Sequence, residues 1–576
     1  MVTRAIVRFG IYDTTAKEEA VYASDNAAIF SDAIALEQEA YQVAPYATLA
    51  LNQWILDGNQ IQPPEVLSDG AWGLISSALS DVNGLFFTPM KIVASFTNPH
   101  TSAGITLYAL DWPAEVIITW RDDIDAILET VTFNPNSASY FAEKYVAGYY
   151  KVEVEFTKTT RPYSYASLQG IQYGLEYIFA PDEIISANTV AEISPISECI
   201  MSGEFNMLAL PVGGSFNIYG ANGIFAALQS GQQLAVSARV DGVEESLGIY
   251  YLDDWSAVSG VKINFKYIDI IGMLGKQDCL GGLYSGVLLS TLLTDVFLGT
   301  AVTFVIDEQL SATTVTGWIP VTDYRTALQL ICFAAGATAL VLADGRIYIT
   351  PLTEDITSSF NASRIFINPR VEKRPEITDV EIMSHTFFED TGAEETTLLQ
   401  QTYLIGSYRI YFSEPVYALS CTGATIIESD VNYAVLEVAA AGEVILVGKI
   451  YAVTNQMFRT FSQTPLAGGA RTYALVDKCT TVATTVGQYL SQYVYDYYAH
   501  ARKVTFSAVR TNERVGDIAR VYISPVIIVV GPITKMVLNL IGMITEYTVI
   551  GDVYDLTAID ELQKVNLLIT NERPVV

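Results

Sequence analysis

The pattern that most limits the fold of this chain runs from Leu247 to Pro351. Leu247-Gly-Ile-Tyr-Tyr-Leu-Asp-Asp-Trp255 is apolar with β-branched and aromatic content, which predicts a strand. Ser259-Gly260 turns the chain, and residues from Val261 to Tyr267 alternate apolar and polar, the period of a second, half-buried strand. Asp269-Ile-Ile-Gly-Met-Leu274 leads out of the sheet. After Gly281-Gly282, Leu288, Leu289, Leu292, Leu293 and Val296 recur at helical spacing. Gly317-Trp-Ile-Pro320 stops the chain before a second helix, for which Thr322 is the expected N-cap. Its buried face is Ala327, Leu328, Ile331 and Cys332, with Gln329 outside it and Gly336 as the left-handed C-terminal residue. Residues from Ala337 to Thr350 complete a hairpin, in which Asp344-Gly345 suits a type I′ turn.

That order is strand, strand, helix, helix, strand, strand. The Leu247–Trp255 strand, the Asp269–Leu274 exit, the Gly317–Pro320 stop and the helix-plus-hairpin to Pro351 together resemble the core of the baseplate hub proteins of long-tailed bacteriophages. A helix from about Cys479 to His500, followed by Val515-Gly-Asp517 and strands, resembles the second barrel of that family. In the helix Tyr489, Tyr493 and Tyr497 lie four apart beside Leu490 and Val494, a row that reads as core lining.

The other segments read less directly. Trp72-Gly-Leu-Ile-Ser-Ser-Ala, the Trp112–Trp120 strand and Leu168-Gln-Gly-Ile-Gln-Tyr-Gly174 look like a discoidin-type jelly roll. Strands from Lys91 to Phe96, Gly104 to Leu110 and Lys151 to Phe156 fit a β-sandwich. The division expected is a lead-in (1–64), a discoidin-like β-sandwich (65–174), a first hub β-barrel (175–274) and an α+β hub segment (275–360). A second barrel with an inserted small β domain follows (361–470), including a strand from Thr402 to Phe412. The C-terminal helix and the rest of that barrel complete the chain (471–576). The fold class is mainly β with some α, in several domains, as the excess of strand-like runs and 35 Tyr with 24 Phe suggest.

Charge and motifs limit the chemistry. A net charge of −31 without a basic cluster argues against specific nucleic-acid binding, which needs clustered Lys and Arg. The five cysteines, Cys199, Cys279, Cys332, Cys421 and Cys479, are dispersed without a C-x-x-C pair, which points to a reducing compartment. The N-terminus lacks the apolar run of a signal peptide. The 14 uncharged residues between Arg520 and Lys535 are too few for a membrane span and contain Pro525 and Pro532. His100, His385 and His500 lie far apart, outside any zinc-ligand spacing, so no metal or cofactor is expected. Neither a nucleophile elbow nor a phosphate-binding glycine loop occurs. Acids cluster at Asp122, Asp123 and Asp125 and at Asp253-Asp254, the only basis for a glycosidase reading.

The resemblance implies a non-enzymatic, structural virion protein at the tail tip. It implies a homotrimer assembled in the host cytoplasm, closing the tail tube against a distal tail protein or tube ring. The tape measure protein and a fibre or spike are its further implied partners. Some relatives carry a lytic domain after the hub; this chain ends at Val576, and none is expected. A competing reading is a carbohydrate-binding adhesin for host attachment. In it the 65–174 sandwich would meet a host cell-surface glycan through Trp72, Tyr108, Trp112 and Tyr140.

Overall fold

The computed structural model describes residues 3–27, 74–109, 112–179, 181–194, 199–210, 228–240, 243–258, 262–300, 302–351, 356–366, 369–373, 377–462, 471–476, 480–499 and 502–558. Trp72, the Ser259-Gly260 turn, Cys479 and His500 lie outside them, as do Gln62-Pro63-Pro64, where the proline pair predicts a boundary, and Asp241-Gly242, a predicted hairpin turn. The described residues are 61% strand and 10% helix, so strand pairing organises them.

A 13-stranded sheet forms the frame. Thr3–Tyr12 lies between Gly174–Phe179 and Gln233–Val240, and the order continues through Val243–Val258, Lys262–Ile268, Glu204–Ala209 and Ile184–Glu192. The sheet then passes to Ile527–Asn539, Ile544–Asp555, Arg502–Val509 and Arg370–Lys373. Ile518–Tyr522 and Ile356–Phe360 branch from Ile527–Asn539. The join is antiparallel, with Asn188 opposite Asn539 and Glu192 opposite Lys535.

Each half has its own core. In the first, Phe9 meets Phe265 and Tyr267 edge-on at ring separations of 5.7 and 5.5 Å, around fully buried Phe205 and Leu252. In the second, Phe360 packs against Phe506 and Tyr547, each at 4.8 Å. The sequence predicts two separate barrels; among the described residues neither closes. The strand that would seal the first, Ile184–Glu192, gives its free edge to Ile527–Asn539 instead.

The α+β segment keeps the two expected helices and the hairpin, but strands Gly282–Leu288, Phe304–Ile306 and Thr314–Ile319 lie between the expected elements, and three further local differences appear. Leu289–Val296 and Tyr324–Ala335 are the two helices, and Ala337–Val341 with Ile347–Pro351 the hairpin. The cap of the second helix is Asp323, whose carboxylate accepts from Thr326 N at 3.0 Å, rather than Thr322. A type I′ turn needs two left-handed residues, and here only Gly345 has positive φ (+84°). Gly345 N donates to Leu342 O and Leu342 N to Arg346 O, the three-residue loop with glycine in the bulge position. Gln329 is buried, against expectation. The helix runs between two cores: Leu328 and Ile331 pack with Leu292 and Leu293, whereas Phe333 packs with Leu490 and Val494. A helix covered on two sides has no dry-and-wet division at that level.

Two inserts leave the main path of the chain and return to it, the first from the frame and the second from a separate three-stranded sheet. Thr3–Tyr12 and Gly174–Phe179 pair with Tyr12 opposite Gly174, and the chain between them builds an antiparallel six-stranded sheet. Its order is Val21–Asp25, Leu85–Tyr108, Ser139–Thr159, Pro113–Arg121, Ile127–Phe133, with Gly170–Gln172 also on Leu85–Tyr108. Trp120, Phe156 and Ile118 are fully buried in its core. The second insert lies between the paired strands Asp379–Phe388 and Ala452–Phe461, Phe388 facing Ala452. It holds two three-stranded sheets around Ala434, Leu436, Val438, Val444 and Leu446. The expected strand from Thr402 to Phe412 is two strands, Thr396–Tyr403 and Gly406–Tyr411, because the chain turns at Leu404-Ile405. No helix among the described residues is long and apolar enough to cross a membrane.

Candidate functional site

The proposed aromatic platform does not form as one surface. Tyr140 stands opposite Leu107 in the pairing of Leu85–Tyr108 with Ser139–Thr159, so it shares a sheet face with Leu107. Tyr108 is the next residue and points to the other face. The Tyr108 hydroxyl donates to Gln172 Oε1, while Tyr140 packs edge-on against Phe133 at 6.4 Å. Trp112 is 37% exposed, just before Pro113–Arg121. Trp72 lies outside the described residues.

The acid clusters are engaged locally. Asp122 Oδ1 accepts from Ile124 N (3.1 Å) and Ala126 N (2.8 Å), closing the turn between two strands. Asp125 is left-handed (φ 68°), and the Lys151 ammonium at 2.6 Å holds its carboxyl below the usual range. Asp253 is the extra residue of a β-bulge between the Leu252–Tyr267 and Asp254–Lys266 pairs. The ammonium of Lys276, helped by Lys266 at 3.5 Å, holds its carboxyl low. The Asp254 carboxylate accepts from Trp255 N at 2.9 Å. Asp253 and Asp254 therefore do not face each other across a cleft.

The structure gathers a polar cluster with no sequence signal. His100 is 3% exposed; its Nδ1 lies 2.8 Å from Asp13 Oδ2 and its Nε2 3.4 Å from Glu19 Oε2. Asp13 also caps the Thr14–Glu19 helix, accepting from Thr15 N and Ala16 N at 3.1 and 3.0 Å. Phe96 meets the imidazole edge-on at 4.7 Å. Asp13 and His100 are 87 positions apart, so no spacing rule could pair them. Packed against Phe96 and Tyr149, the cluster ties the short helix to Leu85–Tyr108 within the insert. Among the described residues no three His, Cys, Asp or Glu side chains are placed to hold a metal ion. Burial pushes the Cys332 thiol up to about 12, far from the reactive thiolate range.

The remaining feature with functional geometry is the frame itself. Its terminal strands, Gly174–Phe179 and Arg370–Lys373, each pair on one side only among the described residues. A strand that pairs with one neighbour can take a further strand on its other side. Across the central join, Lys535 Nζ meets Glu192 Oε2 at 2.9 Å, a half-exposed ion pair that adds register more than stability.

No protein-family model matches the sequence, and no curated protein does. Among solved structures the chain is similar to the 43 kDa tail protein of prophage MuSo2 from Shewanella oneidensis. That similarity has 12% identity and TM-score 0.38 and covers 67% of this chain and 97% of that one. It is similar to a tail protein from Neisseria meningitidis MC58 at 11% identity and TM-score 0.39, covering 66% and 94% of the two chains. A third is prophage tail protein gp18 from Listeria monocytogenes EGD-e, at 11% identity and TM-score 0.33, covering 65% and 91%. Identities and TM-scores this low leave the function to be argued from the chain itself.

Proposed function

We propose that this chain is a non-enzymatic structural protein of a phage tail tip, a hub that closes the tail tube. In this reading it forms a homotrimer in the virion, assembled in the host cytoplasm. It joins a distal tail protein ring on one side and a fibre or spike on the other, with the tape measure protein ending above it. The observation that carries the reading is the frame: two β cores share one open sheet, whose end strands each pair with a single strand among the described residues. A protein with such edges either guards them or uses them, and closed symmetric association uses them without uncontrolled growth. The order of elements from Leu247 to Pro351, which resembles the hub family, adds to it.

Acidity fits the same reading. Three copies carry a formal charge of 3 × −31 = −93, which repels DNA phosphates wherever it lines a channel. Screening limits that repulsion to roughly 8–10 Å near physiological salt, so only lumen-facing acids act. The test is imaging of the assembled particle together with mass measurement of the tail tip. A threefold ring with an electronegative channel wall is expected. A sixfold ring, or a free monomer in the particle, overturns the hub, and turnover of purified cell wall by the chain overturns its non-enzymatic character.

A further inference from the structure

The second insert has a fixed root and an apolar tip. Its root is held through Asn432, in the turn between Thr425–Asp430 and Tyr433–Val438. The buried Asn432 amide accepts from Trp318 Nε1 at 2.6 Å and donates to Leu280 O and Ile319 O, both at 2.7 Å. Tyr451 N donates to Pro415 O and Val416 N to Val431 O, which brings the entering chain to the same end. From there Gly442–Ile450 spans roughly 25–30 Å to the opposite end.

Three arches cross between the two sheets at that far end: Leu404-Ile405, Gly423-Ala424 and residues 439–441, all alanine. Register places them side by side, with Tyr403 opposite Gly442, Gly406 opposite Val438 and Thr425 opposite Glu437. Leu404 is 73% and Ile405 70% exposed, and the three alanines are exposed as well. No arch residue carries a charge or a side-chain hydrogen-bonding group. The rest of the insert is acidic: from Glu389 to Tyr451 nine carboxylates stand against Arg409 and Lys449.

We propose that this tip docks on a zwitterionic lipid bilayer, with Leu404 and Ile405 entering the acyl boundary. Area argues against a protein in that place. A specific protein complex buries about 800 Å² on each partner, around aromatic or arginine anchors. The arches offer two large aliphatic side chains and five residues no larger than alanine, too little surface and no such anchor. A lipid surface asks only for apolar area and for polar groups satisfied from within. The Tyr408 hydroxyl donates to Leu404 O at 3.1 Å and so satisfies an arch carbonyl. The Tyr403 and Tyr408 rings lie 4.4 Å apart beside that arch, where amphipathic rings suit the headgroup level. Charge narrows the lipid. Glu437 and Glu443 are exposed beside the arches, and no Lys or Arg lies within two residues of one, so an anionic surface repels the tip. Another exposed apolar turn, from Val82 to Phe87, follows Asp81, whose carboxylate accepts from Asn83 N and Leu85 N; that turn brings a charge with it. The inference does not rest on the tail reading.

The test is flotation of the full chain with phosphatidylcholine vesicles, and with the same vesicles carrying phosphatidylglycerol. Binding to phosphatidylcholine is expected at millimolar lipid and no tighter, because a single small apolar anchor holds a protein with at most about 10⁴ M⁻¹. Leu404→Ser with Ile405→Ser should weaken it by about tenfold or more, the loss of two buried aliphatic side chains. Ala440→Asp should do the same by placing a charge in the cap, and both variants should melt with the parent because these side chains are exposed. Phe87→Ser should bind as the parent does. Phosphatidylglycerol should weaken binding, and Glu437→Gln with Glu443→Gln should restore part of it. The proposal is overturned if phosphatidylcholine is not bound, if both cap variants bind unchanged, if phosphatidylglycerol strengthens binding, or if Phe87→Ser abolishes it. Self-association that the cap variants remove, without vesicle binding, also overturns it and makes the tip a contact between copies of the chain.

Discussion

The carboxyl of Asp269 accepts from Gly203 N at 2.6 Å, Gly272 N at 2.9 Å and Ser202 Oγ at 3.0 Å. Burial outweighs these bonds and pushes its pKa up to about 6. A carboxyl raised above its unfolded value of about 3.9 favours the folded state most when both forms are protonated. That contribution is full below about pH 4 and is lost as pH rises through about 6. The loss is at most about 3 kcal/mol, because each tenfold gain in proton affinity is worth about 1.4 kcal/mol. Urea midpoints from pH 4 to 7 should fall more for the parent than for Asp269→Asn, and equal slopes would refute the assignment. At the second helix, Leu328→Ala and Ile331→Ala should each cost roughly 2–5 kcal/mol, both side chains being fully buried. Gln329→Ala should also destabilise, by about 1–3 kcal/mol, since its side chain is buried as well. A midpoint for Gln329→Ala equal to the parent's would place it on a wet face after all.

Elements with a strong internal period are legible in the sequence: the Val243–Val258 strand, the Leu289–Val296 helix and Gly336 as its neighbour helix's left-handed end all follow from residue order. Where two elements meet, order is silent. Gly531 and Gly551 lie where Ile527–Asn539 crosses Ile544–Asp555, and a Cβ on either would overlap the backbone of the other strand. Gly531→Ala should therefore force the strands apart and cost about 1–3 kcal/mol or more. Gly542→Ala, in the turn joining the same strands, meets nothing nearer than 3.6 Å and should be within about 0.5 kcal/mol of the parent. Equal melting temperatures for the two variants would show that the strands do not approach so closely.

At the scale of the molecule, the first insert begins and ends at adjacent residues, Tyr12 and Gly174, on neighbouring strands. Replacing residues 13–173 by a short turn should make a plain hairpin of Thr3–Tyr12 and Gly174–Phe179 and leave the frame folded. Ala103 and Phe141 of the insert touch the core of the first half, so a modest loss of stability is expected rather than none. Circular dichroism and a cooperative melt would check this, and an aggregated or non-cooperative product would make the insert part of the frame. If particles carrying the deletion assemble but attach poorly, the insert serves attachment.

By itself the sequence determined whatever depends on neighbours along the chain. The β character, the helix-and-hairpin order from Leu289 to Pro351, and the dispersal of cysteine and histidine are all local in origin, because side-chain period and turn chemistry act over a few residues. Only the tertiary structure decided the rest. It separated Tyr108 from Tyr140 by one position of strand register and joined Asp13 to His100 across 87 positions. Above all, it opened two expected barrels into one sheet through the Asn188–Asn539 join. The free edge of a strand has no preferred partner in sequence; which strand covers it is decided by how the two cores pack and bring distant chain together.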